Sequence, residues 1–353
     1  MMRGIIRKKY GWPPEDGVLE FRTDLDRPKL ENFQEAREQG MCLIKVVSTA
    51  MSPVDYRLVE GWLKSVITET IPGAGLGKEF SGVVVETSSD QFEIGDEVFG
   101  ELEGDISGTF QEFCCATEQS LAPKPAQMSH NDAAALPVAA IAFRAVRDYA
   151  HCIENKRVLI LGGSAATGSV IIQLCRHHFG ANYIAATSSN IDHCHTLGCD
   201  TVYNYKAGTM WYNEDTDFDL IIDCVGMDSW DQARNYAPLK TQFITLVPAS
   251  DGPFYLTTAL SMMTSLAARS AVHMLGGHCA YSVILLSDPD PAALVQVAQF
   301  VLDGKLKPII DSIYDFTLDN VADMLKRQKA KLVKGRQICT IHTEAQGLEG
   351  VVR

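Results

Sequence analysis

The chain has 353 residues, of which 46% are hydrophobic and 21% are charged, so a disordered or fibrous protein is excluded and, at about 150 residues per domain, two globular domains are expected. It carries 31 lysines and arginines against 44 aspartates and glutamates, a net charge of -13. Because this charge repels both a phosphate backbone and an anionic membrane surface, we expect no nucleic-acid or membrane partner.

The start of the chain and the cysteines indicate the compartment. The longest apolar run, near residues 133–143, is shorter than the roughly 20 residues needed to span a bilayer. Residues 1–10 are basic but lack the apolar stretch of a secretory signal, and Ile5-Ile6 is typical of a strand rather than of a mitochondrial presequence helix. The 10 cysteines are scattered without a disulfide-framework spacing. These features favour a cytoplasmic location over a mitochondrial one.

The first third of the chain alternates short β-rich runs with glycine and proline. The runs predict strands, and the Gly95-Asp96 and 104–108 segments predict breaks between them. We therefore expect an antiparallel, barrel-like domain. The predicted strands are Cys42–Val47, Gly82–Glu86, Glu97–Phe99 and Thr109–Ala116.

The pattern of the sequence changes from β-rich runs to a helical stretch at Ser129. Ser129 is typical of a helix N-cap because Asp132 follows three residues later. An alanine-rich helical stretch is expected from there to about Ala150, and strands and helices then alternate. Such alternation predicts a parallel sheet covered on both faces. The predicted strands are Arg157–Leu161, Tyr183–Ala186, Phe218–Cys224 and Phe243–Val247, and the predicted helices are Thr167–Phe179 and Asn190–Leu197.

The tail of the chain returns to mixed elements. From Asp288 onward we expect a helix through Phe300, a turn at Gly304, and three further elements. These are a strand at Ile309–Phe316, a helix at Leu318–Lys329 and a strand at Gln337–Ile341.

The central motif is an apolar strand, residues 158–161, that runs into a loop of glycine, alanine, serine and threonine and then into an apolar helix. Free N–H groups at such a helix start can bind a pyrophosphate when no large side chain intervenes. The alternative is a small-residue turn that only lets the helix pack closely on the strand. The residues predicted to bind the dinucleotide are Gly162, Ser164, Ala165, Ala166, Thr167 and Gly168.

The second strand of this region ends in polar residues without a carboxylate, namely Ser188, Ser189 and Asn190. An acid at this position binds the ribose hydroxyls of NAD and would repel the 2′-phosphate of NADP. Its replacement by hydroxyls and an amide favours NADPH. Tyr205 and Lys206, at the next strand end, are predicted to supply an aromatic ring and a positive charge.

Ordered motifs along nearly the whole chain resemble the zinc-independent quinone oxidoreductase and enoyl reductase branch of the medium-chain dehydrogenase/reductase superfamily. The segment Ser52-Pro53-Val54-Asp55-Tyr56 is similar to the Asn-Pro-x-Asp-Tyr segment of that branch. Further similar motifs are Gly77–Gly82, Gly95–Gly100, Gly108–Phe113, Ala134–Pro137, Leu197–Asp200, Phe218–Asp223, Gly304–Pro308 and Lys334–Arg336.

The resemblance implies an α/β fold in which a GroES-like catalytic domain, residues 1–127 and 286–353, is interrupted by a Rossmann domain, residues 128–285. It also implies NADPH in the cleft between them and hydride transfer to a small acceptor, either a quinone or an enone or enoyl thioester. No zinc is expected, because Lys78 replaces the His ligand of zinc-dependent relatives and Ser52 stands near their Cys ligand. The oligomeric state stays open, and Tyr281–Leu286 is the candidate segment for pairing across a homodimer as in relatives.

Without a metal, a hydrogen-bond donor must stabilise the acceptor oxygen or deliver a proton. Tyr56 is the predicted donor, and the alternative is that its ring only closes the barrel. Ser52, Asp55, Arg57 and Lys78 are predicted to lie around the acceptor, although Asp55 would equally orient the loop and Arg57 would equally face solvent or the cofactor. Val225 and Leu246, which follow the third and fourth predicted strands, are expected beside the nicotinamide.

Two alternatives stay open at this point. A dinucleotide-binding sensor or interaction protein without catalysis is consistent with the same scaffold, and the run 138–142 lacks the threonine that many relatives place near the nicotinamide. His193, Cys194, His195 and Cys199 could form a metal site, but the helical period directs neighbouring side chains to different faces, so we favour no metal there.

Overall fold

The computed structural model describes residues 1–12, 17–32, 40–62, 74–103, 108–226, 228–247, 268–269, 272–284, 289–343 and 346. The chain forms two compact units, the first of Met1–Ala140, Asp288–Gln299 and Pro308–Arg353 and the second of Ile141–Ser287 and Phe300–Lys307. The first segment of unit 1 ends at Ala140, whereas the sequence analysis ended the first domain at residue 127. Phe300–Lys307 also belongs to the second unit, although the sequence analysis assigned all of residues 286–353 to the GroES-like domain.

The first unit contains two sheets. A three-stranded sheet has the order β2-β1-β4, and a larger one has the order β15-β16-β3-β5-β6-β8, with β7 also paired to β3. All strand pairs are antiparallel except β15 with β16. The strands are β1 Met2–Arg7, β2 Leu19–Leu25, β3 Met41–Met51, β4 Ala74–Gly75, β5 Glu79–Thr87, β6 Glu97–Glu101, β7 Phe113–Thr117, β8 Leu121–Pro123, β15 Ile310–Asp315 and β16 Arg336–Thr340.

The long strand β3 organises this unit because it pairs with three others, β5, β7 and β16. Its buried Ile44 and Val46 pack with Phe80 and Val84 of β5 in one apolar core. The predicted strand Thr109–Ala116 begins later than expected, at Phe113, because Thr109 and Phe110 donate their backbone N–H groups to Gly77 and Leu76 instead.

Helices pack beside the sheets of this unit. They are α1 Pro53–Glu60, α2 His130–Ala134 and α9 Leu318–Lys329. Ser129 caps α2 by accepting a hydrogen bond from the backbone N–H of Asp132, as predicted. The helical stretch expected up to about Ala150 is interrupted, and α3 Pro137–Arg147 starts at the proline. The break follows from Pro137, which lacks an N–H donor and disfavours the helical conformation of the residue before it.

The second unit contains one parallel sheet with the strand order β11-β10-β9-β12-β13-β14. This is the doubly wound order of dinucleotide-binding domains, so the α/β fold with a GroES-like and a Rossmann-type part is confirmed. The strands are β9 Arg157–Leu161, β10 Tyr183–Thr187, β11 Thr201–Tyr203, β12 Leu220–Asp223, β13 Gln242–Thr245 and β14 Ala280–Val283.

The central strands are apolar because the sheet is covered on both faces. Val158, Leu159 and Ile160 of β9 are fully buried. The helices along this part of the chain are α4 Ala166–His177, α5 Ile191–Leu197, α6 Trp211–Glu214 and α7 Ser229–Tyr236, and α8 Pro291–Leu302 follows the sheet.

Two expectations about the surroundings of the fold can be placed on it. The segment expected at a dimer contact, Tyr281–Leu286, includes most of β14, whereas Leu285 and Leu286 lie outside the described residues. The dimer stays a prediction. Among the described helices, none combines the length and the apolar character that a bilayer-spanning segment needs.

Candidate functional site

The residues predicted to bind a dinucleotide gather at one edge of the parallel sheet. Leu161, Thr187 and Tyr203 lie side by side on β9, β10 and β11, and Asp223 and Thr245 end the two strands on the other side of β9. Because all these strands run in one direction, the segments that follow their carboxyl ends share this edge. Ligands of open α/β sheets bind at such an edge.

The loop after β9 is held close to the backbone around it. Gly162 has a φ of 85°, in the left-handed region, and its N–H donates to the Thr187 hydroxyl at 3.0 Å. A Cβ placed on Gly168 would lie 2.3 Å from the Gly162 carbonyl oxygen, and one on Gly163 would lie 2.7 Å from the Cβ of Ala186. Real Cβ atoms do not approach this closely, so the loop needs glycine at both positions.

The first turn of α4 presents main-chain donors. The helix begins at Ala166, and its N-cap residue Ala165 has no side-chain oxygen to accept from the turn. The N–H groups of Ala166, Thr167 and Gly168 have no intrahelical acceptor, as at any helix start. Together with the positive end of the helix dipole they favour an anion. The residues present therefore fit the pyrophosphate of a dinucleotide.

The segment after β10 divides into a supporting and an accessible part. Ser188 is buried, and its hydroxyl donates to the Ser164 hydroxyl at 2.8 Å and accepts from the backbone N–H of Asn190 at 2.9 Å. Its own N–H donates to the Tyr203 carbonyl at 3.1 Å. Ser188 thus ties β10 to the loop and to β11, while Ser189 is exposed and Asn190 half-buried.

The segment after β11 supplies the aromatic ring and the cation that the sequence suggested. Tyr205 and Lys206 lie on a single 3₁₀ turn, which is closed when Asn204 accepts from the Lys206 N–H at 3.1 Å. The ring of Tyr205 is 49% exposed. Within the described ranges Lys206 forms no ion pair with an acid. Because the Ser188 N–H donates to the Tyr203 carbonyl, the turn that follows Tyr203 lies close in space to the segment that follows β10.

Asp223 at the end of β12 lies within the Phe218–Asp223 motif, but the sequence analysis assigned it no role. One of its carboxylate oxygens accepts from the N–H groups of Val225 and Gly226 at 3.0 and 2.9 Å, and the other accepts from the Thr245 hydroxyl at 2.8 Å. A methyl of Val225 would lie 2.8 Å from a Cβ on Gly162. Asp223 therefore holds Val225 against the loop. The sequence signal for this arrangement is an acidic residue at the end of an apolar strand.

Leu246, the other predicted nicotinamide neighbour, follows β13 at the same edge. Its N–H donates to the Asp223 carbonyl oxygen at 3.0 Å, and its side chain is half-buried. The structure thus brings the loop, Val225 and Leu246 to one edge of the sheet.

In the first unit, the segment Ser52–Arg57 forms the start of α1. The Asp55 carboxylate accepts from the backbone N–H of Ser52 at 2.6 Å, and its other oxygen is buried with no hydrogen-bond partner among the described residues. Burial raises the pKa of Asp55, and Arg336 and Lys78 offset part of that rise. Asp55 is completely buried, and its bond to Ser52 holds the first turn of α1. Tyr56 is half-buried against the apolar core, and Arg57 lies beside the Tyr56 ring at 6.0 Å.

A buried ion pair lies beside this segment. Arg336 and Glu79 approach to 2.5 Å, with side chains 4% and 5% exposed. Burial raises the pKa of Glu79 to about 8, although the Arg336 guanidinium lowers it and the nearby acids Glu101 and Asp55 raise it further. The half-buried Lys78 precedes Glu79 in the chain. The cluster therefore combines more acids than cations in a dry environment.

The residues at this position do not suit a zinc ion. Zinc takes Cys, His or carboxylate ligands, whereas here Ser52 and Lys78 occupy the two expected ligand positions and Glu79 binds Arg336. In the part of the chain that the structure describes, no three His, Cys, Asp or Glu side chains are grouped so as to hold a metal.

The histidine and cysteine group on α5 is also separated by the structure. The His193 ring contacts the Ser169 hydroxyl at 3.3 Å, and the His195 ring contacts the Cys199 carbonyl at 3.0 Å. Only the thiols of Cys194 and Cys199 come together, through a mutual hydrogen bond. The helical period did separate the histidines, but it could not predict this pairing across the helix end.

Comparisons with known proteins agree with this fold. Residues 38–126 match the family model of an alcohol dehydrogenase GroES-like domain, and residues 197–337 match the model of a zinc-binding dehydrogenase.

Similar proteins include a 2-methylene-furan-3-one reductase of Solanum lycopersicum, 28% identical over 87% of this chain and 71% of the other. The mitochondrial NAD(P)H oxidoreductase RTN4IP1 of Danio rerio is 26% identical over 97% and 92% of the two chains. Among solved structures, the quinone oxidoreductase of Coxiella burnetii has a TM-score of 0.78 at 24% identity, covering 97% of this chain and 99% of that one. With the two matched models and the motif order, these likenesses show that the chain belongs to the medium-chain dehydrogenase/reductase superfamily.

Proposed function

We propose that this chain is an NAD(P)H-dependent oxidoreductase that reduces a quinone or an α,β-unsaturated carbonyl compound, with NADPH as its preferred coenzyme. The main observation behind the proposal is the loop at Gly162–Gly168. The start of α4 has no side-chain cap, so its N–H groups are available to a pyrophosphate, and the close contacts of the glycines exclude larger side chains from the loop. The names of the Solanum lycopersicum and Danio rerio relatives, a 2-methylene-furan-3-one reductase and an NAD(P)H oxidoreductase, support the reaction class.

The chain's own residues divide the binding of the coenzyme among three strand ends. The first turn of α4 holds the pyrophosphate through the N–H groups of Ala166, Thr167 and Gly168, with Ser164 positioned by Ser188. Val225, fixed by Asp223, and Leu246 form an apolar surface for the nicotinamide. A reduced nicotinamide bound there supplies the hydride.

The preference for NADPH follows from the charges after β10 and β11. Residues 188–190, directly after β10, carry no carboxylate, so a 2′-phosphate bound beside them meets the hydroxyl of Ser189 and the amide of Asn190. Lys206 supplies a cation, and Tyr205 an exposed ring. A phosphate is stabilised by this set, whereas a pair of ribose hydroxyls finds no acid to accept from them.

Tyr56 is the proposed proton donor to the acceptor. A phenol hydroxyl is a hydrogen-bond donor, and the Tyr56 side chain that carries it is half-buried against the apolar core. Asp55 positions Tyr56 by fixing the first turn of α1 through Ser52. Ser52, Arg57 and Lys78 are proposed to line the acceptor pocket, where cations would stabilise a developing enolate or quinol oxygen.

The reaction is proposed to proceed without zinc. Lys78 and the Arg336-bound Glu79 leave no set of three ligands at this position. Hydrogen-bond donors then have to supply the stabilisation that a Lewis acid gives in zinc-dependent relatives. This makes the contribution of Tyr56 measurable.

The test is an acceptor screen that follows NADPH absorbance with quinones, enones and enoyl thioesters, with NADH run in parallel. We expect acceptor-dependent oxidation of NADPH. A Tyr56→Phe variant is expected to lose about 10² to 10⁴ in kcat with an enone, where a proton must be delivered, and to keep most activity with a quinone. Tyr236→Phe, at a 49% exposed tyrosine of the other unit, is the matched control.

Two outcomes would contradict the proposal. NADPH binding without oxidation by any acceptor would identify a coenzyme sensor or interaction protein on the same scaffold. Equal enone rates for Tyr56→Phe and wild type would remove Tyr56 from the mechanism.

A further inference from the structure

The end of α5 brings two cysteines together. Gly198 has a φ of 115° and its N–H donates to the His195 carbonyl, while the Cys199 N–H donates to the Cys194 carbonyl at 3.1 Å. These bonds define a Schellman motif, in which the side chain four residues before the glycine contacts the residue after the glycine. Here both contacting residues are cysteines, and their thiols are hydrogen-bonded.

The two thiols have different environments. Hydrogen bonding from the Cys199 thiol lowers the pKa of Cys194 to about 7, with further lowering by Ser188 and His195 against the effect of burial. The same contact, together with burial and Asp200, raises the pKa of Cys199. Cys194 is therefore the more acidic thiol of the pair, and Cys199 is its neighbouring thiol.

The pair also contacts the phosphate-binding loop. A Cβ placed on Gly163 would lie 3.3 Å from the Cys194 sulfur, so this sulfur lies directly beneath the loop backbone. The Ser188 hydroxyl lies beside Cys194 and donates to the Ser164 hydroxyl at 2.8 Å. The position of the Cys194 sulfur is thus linked to the loop through a backbone contact and a side-chain hydrogen bond.

We propose that Cys194 and Cys199 form a reversible disulfide when the protein meets a peroxide, and that this disulfide weakens coenzyme binding at the loop. The second half rests on the proposed function, whereas the first half does not. The modification site is the end of α5, and its reactant class is hydroperoxides.

The chemistry balances in two steps. The Cys194 thiolate attacks one oxygen of hydrogen peroxide, the O–O bond breaks, and a sulfenic acid and hydroxide result, the hydroxide taking up a proton to become water. The Cys199 sulfur then attacks the sulfenic sulfur, an S–S bond forms, and the second water leaves with the Cys199 proton. Both sulfurs are oxidised and the peroxide is reduced to two waters. A dithiol reductant reverses the result by exchange.

The disulfide acts on the loop by moving the Cys194 sulfur. An S–S bond is about 2.05 Å long, much shorter than a hydrogen bond between thiols, so the sulfur shifts toward Cys199 and away from Ser188 and Gly163. Ser188 loses a partner, and the loop loses packing beneath Gly163. We expect the Kd for NADPH to rise about tenfold, as is typical of two coupled sites.

The experiment treats the full-length protein with hydrogen peroxide, blocks the remaining thiols by alkylation, and maps tryptic peptides. Cleavage after Arg176 and Lys206 releases residues 177–206, which contain Cys194, Cys199 and no other cysteine. We expect this peptide to lose two hydrogen atoms and to resist alkylation until it is reduced. NADPH affinity is measured before oxidation, after it, and after reduction.

Cys199→Ala removes both the resolving thiol and the hydrogen bond that lowers the pKa of Cys194, so it is expected to keep its NADPH affinity through the peroxide treatment. Cys152→Ser, at a half-buried cysteine elsewhere in the same unit, is expected to respond like wild type. Two alkylatable thiols in peptide 177–206 after oxidation would overturn the proposal. A disulfide without any change in NADPH affinity would overturn its second half, and failure of the reduced protein to bind NADPH would instead reject the proposed function.

Discussion

The candidate coenzyme loop of the second unit and the acid cluster of the first differ in what they present. From Gly162 to Ser169 the loop has no ionisable side chain, and its chemistry comes from main-chain N–H groups and from glycines pressed against backbone. The acid cluster, defined by Asp55, Glu79 and Arg336, is built from charges that are almost fully buried. The loop therefore depends on side-chain size, whereas the cluster depends on charge balance.

Removing the cation of the acid cluster is expected to have the largest effect. Burial raises the folded-state pKa of Glu79 to about 8 from its ordinary 4.5. The contribution of this shift to the free energy of unfolding is therefore complete below pH 4.5 and is lost as the pH rises toward 8. Without Arg336 the pKa rises further, so the loss continues at higher pH. We expect Arg336→Met to cost about 3–5 kcal/mol of unfolding free energy at pH 9 and clearly less at pH 6, as measured by urea unfolding.

The control is Arg234→Met, which breaks an ion pair with side chains 50% and 61% exposed. It should cost less than about 1 kcal/mol at both pH values. An equal loss for Arg336→Met at pH 6 and pH 9 would show that the cluster is not governed by charge.

Adding one methyl group to the loop tests the dependence on size. Gly168→Ala places a Cβ 2.3 Å from the Gly162 carbonyl, so the first turn of α4 must shift away from the strand end. We expect NADPH affinity to fall about 100-fold, which corresponds to about 2.7 kcal/mol, in a titration calorimeter. Gly180→Ala, after α4, meets no other atom but is strained because Gly180 has a φ of 70°, so it controls for a general loss of stability and should leave the affinity unchanged. If both variants bind alike, the loop does not hold the coenzyme.

Charge enters the coenzyme site only at its ribose end, and there the effect should be smaller. Lys206→Ala removes the cation proposed for the 2′-phosphate, so the ratio of NADPH to NADH affinity is expected to fall about tenfold, about 1.4 kcal/mol. Lys240→Ala, which removes an exposed lysine paired with Asp217, is the control. An unchanged ratio would assign the preference to Ser189 and Asn190 instead.

Glu97, a partly exposed acid of the first unit, is expected to give the smallest of these effects. Burial raises the pKa of Glu97, but Lys124 and His130 outweigh it and lower the pKa below the ordinary 4.5. Glu97 therefore stabilises the fold above pH 4.5, and this contribution disappears as the pH falls. We expect Glu97→Gln to cost up to about 1 kcal/mol at pH 7 and almost nothing at pH 3, by urea unfolding. Glu31→Gln, at a 70% exposed side chain, should have no effect, and a loss for Glu97→Gln that persists at pH 3 would reject the electrostatic explanation.

The two regions also differed in how far the sequence could predict them. The loop follows from local rules, because an apolar strand, small residues and an apolar helix are contiguous between residues 157 and 177. The alternation of strands and helices predicted the parallel sheet for the same reason. The start of α3 at Pro137 is likewise a local effect, although the sequence analysis placed it inside one helical stretch.

Contacts between distant residues could not be predicted in this way. Arg336 and Glu79 form an ion pair although they are more than 250 positions apart in the sequence. An arginine or a glutamate in a sequence does not by itself indicate that it has a buried partner. The hydrogen bond from Ser188 to Ser164 likewise joins segments 24 positions apart, and the burial of Ser188 depends on the neighbouring strand β11. Cys194 and Cys199 are near in sequence, yet their contact requires the left-handed Gly198 between them.

The central claim is that the loop after β9 binds a reduced nicotinamide coenzyme through its main chain, and calorimetric titration of the reduced protein tests it most directly. NADPH should bind once per chain and more tightly than NADH, without any acceptor or added metal. The absence of a binding signal with both coenzymes would contradict the account.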